Sequence, residues 1–468
     1  MPGTFSIRTR RTGGFAMRIV IAGGGKIGRS LARLLSAEGY DLTVIDIKAE
    51  MLNYIEERYD VMTVNGNCAA MSTLREAGIE DADILIAATM LDEVNLLCCL
   101  AAHSLNKNLH TIARIRNPEY YEQLYELRDA FNLSMTFNPE FKTARDIARL
   151  LEYPGFLKRE TFAKDRVEIV ELLVDENSRL NGVKLADLPG IARCKVLVCA
   201  VVRSGSAFMP DGSFTLKSGD RVYVTAPTNE LTALLKNLGI ITKRVSRVLL
   251  AGGGRVSYYL AKQLRAAGIS VRILEKDPDR CVTLAELLPD VEIVRGDATS
   301  QGTLEKEGAL ECDAVVSVTG LDEMNIIISL FAHDLGVKQV VTKVGRPESL
   351  SIVDRLEIGS AINPQEIIGS SVVRYVRSVK NQSGAALTVH SIASGMAEAS
   401  EFLVDETTLH RGKPLRDIQL KKNVLLACIS RHGNLTIPNG DSSFEEGDTL
   451  LIVTASNMVI ERLNDIFE

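Results

Sequence analysis

Short runs of aliphatic and β-branched residues alternate with longer segments of helical periodicity along the first part of the chain. The apolar runs that predict strands are Arg18–Ala22, Leu42–Ile45, Asp60–Val64 and Ile84–Ala88. The segments with helical spacing are Ile27–Glu38, Glu50–Arg58 and Met71–Ala77. Strands that alternate with helices predict right-handed βαβ units and a parallel sheet with helices on both faces.

The same pattern occurs a second time in the chain. Ile19–Gly25 reads IVIAGGG, and Val248–Gly254 reads VLLAGGG. Further along, Thr89–Asn95 (TMLDEVN) corresponds to Thr319–Asn325 (TGLDEMN). The matching segments keep their order and nearly constant spacing, which chance similarity does not do. We therefore interpret the chain as a tandem duplication.

A shorter segment with a different pattern follows each βαβ region. In the first copy, Val167–Val174, Val196–Val202 and Arg221–Thr225 predict strands, and turn signals such as Asp211-Gly212 separate them. This pattern predicts a small, mainly β, α+β accessory domain in each half.

A glycine-rich loop follows the first predicted strand and opens the next helix. In Gly23-x-Gly25-x-x-Gly28, the first glycine would make a tight turn, the second would let the backbone approach a pyrophosphate, and the third would allow close packing of helix on strand. Asp46 ends the second strand, where an acid accepts hydrogen bonds from ribose hydroxyls and repels a 2′-phosphate, which favours NAD over NADP. The alternative is a packing turn without a ligand. We predict a nucleotide site, the first cleft, that includes Gly23, Gly24, Gly25, Lys26, Ile27, Gly28 and Asp46.

The second copy of the loop departs from this pattern at two positions. Ser257 replaces the third glycine, and the acid is Glu275, which is one methylene longer than aspartate. Because serine is small, we expect the turn to survive with looser packing of the helix. The sequence leaves open whether this second cleft binds a nucleotide or is a degenerate site kept for architecture. Its candidate residues are Gly252, Gly253, Gly254, Arg255, Val256 and Glu275.

Further polar residues lie where the predicted strands end. Thr89 and Thr319 end the fourth strand of each copy, at the edge where open α/β sheets bind ligands, or else cap the next helix. Arg114 and its counterpart Lys343 can meet phosphates there, or are ordinary surface charges. The acids in Asp92–Asn95 and Asp322–Asn325 are expected in the first turn of a helix, where they interact favourably with the positive end of the helix dipole. The alternative is a cation site at a subunit contact. We also assign to the two clefts Asn67, Met90 and Asp297.

These patterns together give a fold class and an order of domains. We predict an α/β protein with two Rossmann-like, doubly wound parallel-sheet domains, each followed by a small α+β accessory domain. Glu140–Leu151 and Glu366–Val379 read as amphipathic connecting helices. The predicted segments are 17–139 (first Rossmann-like domain), 140–160 (connecting helix), 161–240 (first accessory domain), 245–365 (second Rossmann-like domain), 366–385 (connecting helix) and 386–468 (second accessory domain).

Composition narrows the class of protein. The chain has 468 residues, 46% of them hydrophobic and 24% charged, which is typical of a soluble globular protein. Its net charge of −6 argues against nucleic acid as a main partner. No apolar run is long enough to span a membrane, and the cysteines and histidines show no metal-ligand spacing, so we predict no metal site. Residues 1–16 lack the apolar core of a secretory signal, and we expect a disordered tail or a start codon placed too far upstream.

The most specific segments of the chain resemble the TrkA family, the regulatory subunit of the Trk potassium-uptake system. They are Met17–Gly25, Val64–Asn67, Leu74–Gly78, Asp81–Asp83 and Ile112–Tyr120. The resemblance covers nearly everything from Met17 to Glu468 and implies two pairs of RCK (regulator of potassium conductance) domains, N-terminal and C-terminal, in each chain. It also implies binding of NAD(H) and of ATP or ADP in both clefts, with Ser257 putting the second site in doubt.

The resemblance further implies a cytoplasmic protein, peripheral on the cytoplasmic face of the inner membrane. It would form a homo-tetramer beneath a membrane-embedded potassium-conducting subunit and gate that subunit. The alternatives are an NAD-dependent oxidoreductase and a sensor module of another cation channel or antiporter. An oxidoreductase needs an acid or base beside the nicotinamide. Tyr258-x-x-x-Lys262 mimics such a pair, but it follows the glycine loop directly, so we interpret it as packing and surface charge and predict a protein that is not an enzyme.

Overall fold

The structure is a computed structural model, and it describes the greater part of the chain. The described residues are 17–120, 123, 128, 130–152, 156–162, 167–227, 230–240, 245–380, 386–393, 396–455, 458, 460 and 462–468. Residues 1–16, where we expected a tail, lie outside them. The chain divides into two compact units, Met1–Asn138 and Pro139–Glu468.

The described part of the first unit is built on a parallel sheet with the order β3-β2-β1-β4-β5-β6. Its strands are β1 (Arg18–Ala22), β2 (Asp41–Asp46), β3 (Met62–Asn65), β4 (Ile84–Ala87), β5 (His110–Arg114) and β6 (Met135–Phe137). Its described helices are α1 (Lys26–Ala37), α2 (Ala49–Glu56), α3 (Met71–Glu76) and α4 (Asp92–Leu105).

The apolar runs in the sequence explain the position of the central strands. Every residue of β4 and the last four of β1 are buried, as expected for strands that are covered by helices on both faces. Helix α1 presents one buried stripe, with Ile27, Leu31 and Leu35 facing the core. The central strands therefore fix the carboxyl edge of the sheet, where the glycine loop lies.

The second unit begins with a connecting helix and the first accessory domain. In chain order its elements are α5 (Pro139–Glu152), β7 (Lys158–Phe162), β8 (Val167–Leu173), α6 (Leu188–Ala192), β9 (Leu197–Arg203), β10 (Ser206–Phe208), β11 (Arg221–Pro227) and α7 (Leu231–Leu238). The five strands form an antiparallel sheet with the order β10-β9-β11-β8-β7.

A second parallel sheet follows, with the order β14-β13-β12-β15-β16-β17. Its strands are β12 (Arg247–Ala251), β13 (Ser270–Glu275), β14 (Glu292–Arg295), β15 (Ala314–Ser317), β16 (Gln339–Lys343) and β17 (Ser360–Ile362). Its helices are α8 (Arg255–Ala266), α9 (Pro278–Leu287), α10 (Gln301–Lys306), α11 (Asp322–Asp334) and α12 (Pro347–Leu356). The strand order repeats that of the first unit position by position.

The chain then enters a second connecting helix and a second antiparallel sheet. These elements are α13 (Pro364–Lys380), β18 (Ala386–Ile392), β19 (Ala397–Leu403), β20 (Val424–Arg431), β21 (Asn434–Thr436) and β22 (Thr449–Ala455), and the sheet order is β18-β19-β22-β20-β21. The predicted fold class, two Rossmann-like domains and two α+β accessory domains in tandem, is therefore confirmed.

Helix α5 belongs in sequence to the first half but packs on the second Rossmann-like domain. Its residues Ala144, Ile147 and Leu151 share a buried core with residues of α8, the helix that follows the second glycine loop. The ring of Phe141 meets that of Tyr259 edge to face, with the ring centroids 5.5 Å apart. These contacts join a segment of the first half to the helix that leaves the second cleft.

The first accessory domain makes two further contacts within the second unit. Its sheet packs face to face with the sheet of the second accessory domain, through a shared core that includes Ile169, Tyr223 and Val453. Arg221 donates to the buried Glu171 at 3.0 Å and to Asp354 of α12 at 3.2 Å. The first accessory domain is thus attached to the second half both by apolar packing and by an ion pair.

No helix of the described residues is both long enough and apolar enough to cross a bilayer.

Candidate nucleotide-binding clefts

Both glycine loops begin with the same left-handed turn. Gly23 has a φ of +106° and Gly252 a φ of +105°, a conformation that L side chains rarely adopt. The amide of Gly23 donates to the carbonyl of Ile45 at 2.7 Å, and that of Gly252 donates to Leu274 at 2.8 Å. The turn therefore ties the end of the first strand of each sheet to the end of the second strand.

The third position of the motif distinguishes the two loops. A Cβ on Gly28 would lie 1.8 Å from the carbonyl oxygen of Gly23, so the first loop has no room for a side chain there. In the second loop Ser257 is fully buried, and its hydroxyl donates to the carbonyl of Gly252. The second loop therefore accommodates a side chain at the position where the first cannot, although the φ of the first glycine is nearly the same.

Among the described residues, no side chain caps the backbone N–H groups at the starts of the helices that follow the loops. Gly25 and Gly254 are the residues that precede α1 and α8, and neither helix has a side-chain cap or an acid in its first turn. Lys26 and Arg255 are exposed, whereas Ile27 and Val256 are buried against the sheet. A helix start with unpaired N–H groups, a positive dipole end and an adjacent cation can hold a phosphate.

The two acids occupy the same position although they differ in length. Asp46 accepts the N–H of Gly24 on one carboxylate oxygen at 2.6 Å and the N–H of Lys48 on the other at 2.8 Å. Glu275 accepts from Gly253 and Asp277 at the same two distances. Each oxygen keeps further lone pairs, so both carboxylates can still accept hydrogen bonds from a ribose.

Asn67 and Asp297 lie in the turns after β3 and β14. The side chain of Asn67 accepts the N–H of Ala69 at 3.0 Å, and that of Asp297 accepts from Thr299 at 2.9 Å. The backbone N–H of Thr299 is the main reason why the pKa of Asp297 is lowered. Both side chains are exposed at the carboxyl edge, and these hydrogen bonds stabilise the turns in which the two residues lie.

Thr89 and Thr319 lie two residues beyond the ends of β4 and β15 and belong to a part-buried polar network. Thr89 donates to the side-chain oxygen of Asn95 through its amide at 2.8 Å and its hydroxyl at 2.7 Å. Thr319 makes the same two bonds to Asn325. The asparagines donate in turn to the backbone carbonyls of Arg114 and Lys343, at 2.9 Å and 2.8 Å.

This network includes residues to which the sequence analysis gave no role. Asn95 and Asn325 are completely buried on helices α4 and α11, where each joins the end of one strand to the end of the next. The signal was present in the repeat, because both asparagines occupy the same position in the TMLDEVN and TGLDEMN segments. A polar residue that recurs on the buried face of two apolar helices points to a shared hydrogen-bond role.

The acids at the starts of α4 and α11 hold backbone rather than serving only the helix dipole. Asp92 accepts the N–H groups of Arg116 and Asn117 at 2.8 Å and 2.7 Å. Asp322 accepts from Gly345 and Arg346 at 2.9 Å and 3.0 Å. Burial raises the pKa of Asp322, but these backbone N–H groups, the side chain of Ser349 and the charge of Arg346 together lower that pKa overall.

The remaining candidates lie around the same edge. Met90 is exposed, and its carbonyl accepts a hydrogen bond from the guanidinium of Arg116. The side chains of Arg114 and Lys343 are half-buried, and the amine of Lys343 donates to the carbonyl of Val318 at 3.3 Å. In each half the structure thus brings the loop, the acid, the threonine and the fifth-strand cation to the carboxyl edge of one sheet.

The Tyr258–Lys262 pair lies on helix α8. The ring of Tyr258 packs against the second Rossmann core and on Tyr259, and the Lys262 amine donates to its hydroxyl at 3.4 Å. This geometry agrees with the interpretation of the pair as packing and surface charge.

Comparison with known proteins gives a consistent result. The TrkA-N domain model matches residues 19–132 and 248–364, and the TrkA-C domain model matches residues 169–239 and 399–467. The Trk system potassium uptake protein TrkA homolog of Archaeoglobus fulgidus is 33% identical over 451 residues, covering 96% of this chain and 100% of that protein. The Trk system potassium uptake protein TrkA of Halomonas elongata is 31% identical over 458 residues, covering 97% of this chain and 99% of that protein.

Solved structures share the fold at lower sequence identity. The crystal structure of the GsuK RCK domain has a TM-score of 0.61 at 18% identity and covers 95% of this chain and 93% of that chain. The GsuK channel bound to NAD has a TM-score of 0.60, also at 18% identity, over 95% of this chain and 77% of that one. At this identity the likeness establishes the fold alone.

Proposed function

This chain belongs to the TrkA family, and from that premise we propose that it is the cytoplasmic regulatory subunit of a Trk-type potassium-uptake system. In this proposal it binds NAD(H) or ATP and gates a membrane-embedded potassium-conducting subunit. The observation that carries the proposal is the placement of Asp46, whose carboxylate is bonded to the amide of Gly24 at 2.6 Å beside the open start of α1.

The first nucleotide site would lie between the glycine loop and the ends of β2 and β4. The backbone from Gly23 to Gly28 would cradle the phosphates, with Lys26 neutralising part of their charge. Asp46 would accept the ribose hydroxyls at one side, and Thr89 and Arg114 would border the site at the other. The GsuK channel, which shares the fold, was solved with NAD bound, and this supports a dinucleotide as the ligand.

The second site would use the equivalent residues of the second half. Glu275 bonds to the loop amide at the same distance as Asp46, and Thr319 repeats the bonds of Thr89. Ser257 closes a bond within the loop and leaves the amides at the start of α8 available. These similarities favour a working second cleft over a degenerate one.

Gating would arise from unequal affinity of the nucleotide for two conformations of the protein. A tenfold preference for one conformation shifts the balance by about 1.4 kcal/mol. Because α5 packs on α8, a shift of α8 on binding at the second cleft would be passed to the first accessory domain, which follows α5 in the chain. In a homo-tetramer on the cytoplasmic face of the inner membrane, the shifts of the four chains would act together on the membrane subunit.

The proposal is tested by calorimetric titration of the full chain with NAD, NADH, ATP and ADP. We expect saturable binding, and we expect Asp46→Ala to weaken NAD(H) binding about tenfold or more, since hydrogen bonds to a charged group contribute about 1.5–3 kcal/mol. Asp41→Ala is the matched control, because Asp41 is exposed at the opposite end of the same strand. The same variants are then compared in potassium-flux measurements on vesicles that contain the membrane subunit, where only Asp46→Ala should alter the response to NAD(H).

Two results would contradict the proposal. Absence of binding for all four nucleotides would leave a structural scaffold with vestigial Rossmann folds. Reduction of NAD in the presence of an alcohol or hydroxy acid would instead identify an oxidoreductase.

A further inference from the structure

The two clefts differ in the side chains beside the ribose-binding acid. In the first half, the residue paired with Asp46 across the parallel strands is Asn65, and Ile47 and Met51 follow the acid. In the second half, the corresponding residues are three cations. Arg295 is paired with Glu275 across the strands, and Lys276 and Arg280 take the places of Ile47 and Met51.

Arg280 is held in place at the mouth of the second cleft. It lies in the first turn of α9, where the side chain of Asp277 caps the helix by accepting the backbone N–H groups of Asp279 and Arg280. Its Nε donates to the carbonyl of Gly253 at 2.7 Å, while the amide of the same glycine donates to Glu275. Gly253 is therefore bonded to Arg280 through its carbonyl and to Glu275 through its amide.

The outer end of this guanidinium is available for a ligand. Among the described residues, neither terminal nitrogen of Arg280 has a protein hydrogen-bond or ion-pair partner. Within the same described part of the chain, Arg295 and Lys276 have no ion-pair partner, and both are exposed. By contrast, Asn65 in the first cleft donates to the carbonyl of Asp46 at 3.0 Å and adds no charge.

A fork of guanidinium nitrogens at this position matches a particular ligand group. In dinucleotide-binding domains the end of the second strand meets the adenosine ribose, where an acid selects the free 2′-hydroxyl and a nearby arginine accommodates a 2′-phosphate. Arginine binds phosphate through two parallel N–H···O bonds, which require free terminal nitrogens of the kind that Arg280 presents. Glu275 alone would repel the phosphate, but Arg280, Arg295 and Lys276 offset its charge. The two other carboxylates nearby accept local hydrogen bonds, Asp277 from the first turn of α9 and Asp297 from Thr299.

We propose that Arg280 and Arg295 make the second cleft selective for adenine nucleotides that carry a phosphate on the adenosine ribose, the NADP(H) class. This inference rests on the proposed function, since it presumes that the second cleft binds a nucleotide. The first cleft, with Met51 and Asn65, keeps its preference for a free 2′-hydroxyl. The two halves then respond to different nucleotides, and one chain combines two signals.

The test is calorimetric titration of the full chain with NADP and with NAD. Two variants exchange the residues at the equivalent positions 51 and 280 of the two halves. We expect NADP to bind one site at least tenfold more tightly than NAD binds that site. Arg280→Met, which installs the residue of the first half, should lower the NADP affinity about tenfold and leave NAD binding at the first cleft unchanged. Met51→Arg should raise NADP affinity at the first cleft, and thermal unfolding of both variants checks that they fold.

The outcomes separate this inference from the function on which it rests. Equal affinity of both clefts for NAD with no NADP preference, or an NADP affinity that Arg280→Met leaves unchanged, overturns the selectivity and leaves the nucleotide sensor standing. Failure of the unsubstituted chain to bind either dinucleotide or any adenine nucleotide overturns both.

Discussion

The two glycine loops reach the same turn with different residues at its most crowded point. In the first loop the helix begins so close to the turn that only Gly28 fits, whereas the second loop accepts Ser257 and bonds its hydroxyl to the carbonyl of Gly252. The φ angles of Gly23 and Gly252 nevertheless differ by only one degree. The duplicated fold thus preserves the φ of the first glycine while the residue at the most crowded point of the turn differs.

The two acids beside the loops also keep the same backbone contact although their side chains differ. Asp46 and Glu275 differ by a methylene, yet each accepts a loop amide at 2.6 Å, that of Gly24 in the first half and that of Gly253 in the second. What distinguishes the two clefts is therefore the set of side chains around a common backbone frame. Substitutions at equivalent positions of the two halves test this view directly.

The largest effect is expected from Gly28→Ala. The new Cβ would meet the carbonyl oxygen of Gly23 at 1.8 Å, so the helix must shift, and overpacking of this kind costs up to about 3 kcal/mol. We expect the free energy of unfolding to fall by about that amount in urea titrations followed by circular dichroism. Nucleotide binding at the first cleft should be lost as well.

Two variants provide controls for this prediction. Gly25→Ala should leave the stability unchanged or raise it slightly, because its Cβ meets no atom within 4 Å and its φ is −69°. Ser257→Ala in the second half should cost only about 1 kcal/mol, the usual contribution of one hydrogen bond. Equal losses for Gly28→Ala and Gly25→Ala would contradict the crowding argument.

A smaller effect is expected from Asn95→Ala. The substitution removes the acceptor for two donors of Thr89 and the donor to the Arg114 carbonyl, in part-buried bonds made by the fully buried Asn95. We expect a loss of about 2 kcal/mol in the free energy of unfolding, because buried groups left unsatisfied cost about 1–3 kcal/mol. Hydrogen exchange at the amide of Thr89 should accelerate at the same time.

Leu97→Ala is the matched control on the same helix. Leu97 is exposed, so its truncation should change the stability by less than about 0.5 kcal/mol. Asn325→Ala should repeat the effect of Asn95→Ala in the second half, since the network is the same there. A loss confined to one half would show that the two networks are not equivalent.

The fold could be predicted from the sequence because its signals are local and periodic. The alternation of strands and helices, the repeat and the fold class follow from residues close together in the chain, and the structure confirms the fold class. Strand β6 (Met135–Phe137) was not predicted, since three residues are too few for a periodic signal. The packing of α5 on α8 was not predicted either, because it joins segments that are far apart in sequence.

The candidate clefts show the same limit. The glycine spacing and Asp46 are visible as a motif, so the sequence predicts which residues face a ligand, and that assignment stays a prediction. The sequence could not show that Arg280 is anchored to Gly253, because an arginine after a helix start reads as an ordinary surface charge. The bonds of Asp92 to the backbone after β5 were equally invisible, since they depend on how the helix and that strand meet in space.

The smallest effect, and the one that separates charge from shape, is expected from Asp322→Asn. The pKa of Asp322 is lowered in the folded protein, because the opposing effect of burial is exceeded by the combined effect of the backbone N–H groups of Gly345 and Arg346, the Ser349 side chain and the Arg346 charge. Its stabilising contribution is therefore complete above its unfolded pKa of about 4 and is lost as the pH falls through the lower folded pKa. Asparagine keeps an acceptor but no charge, so we expect it to cost about 1 kcal/mol at pH 7. Urea titrations from pH 7 down to about pH 3 should show this difference shrinking.

Glu323→Gln is the control, because Glu323 is exposed beside Arg346 and a solvent-screened pair contributes little. A difference between Asp322→Asn and the unsubstituted chain that stays constant with pH would mean that the side chain acts at the strand end through its shape alone.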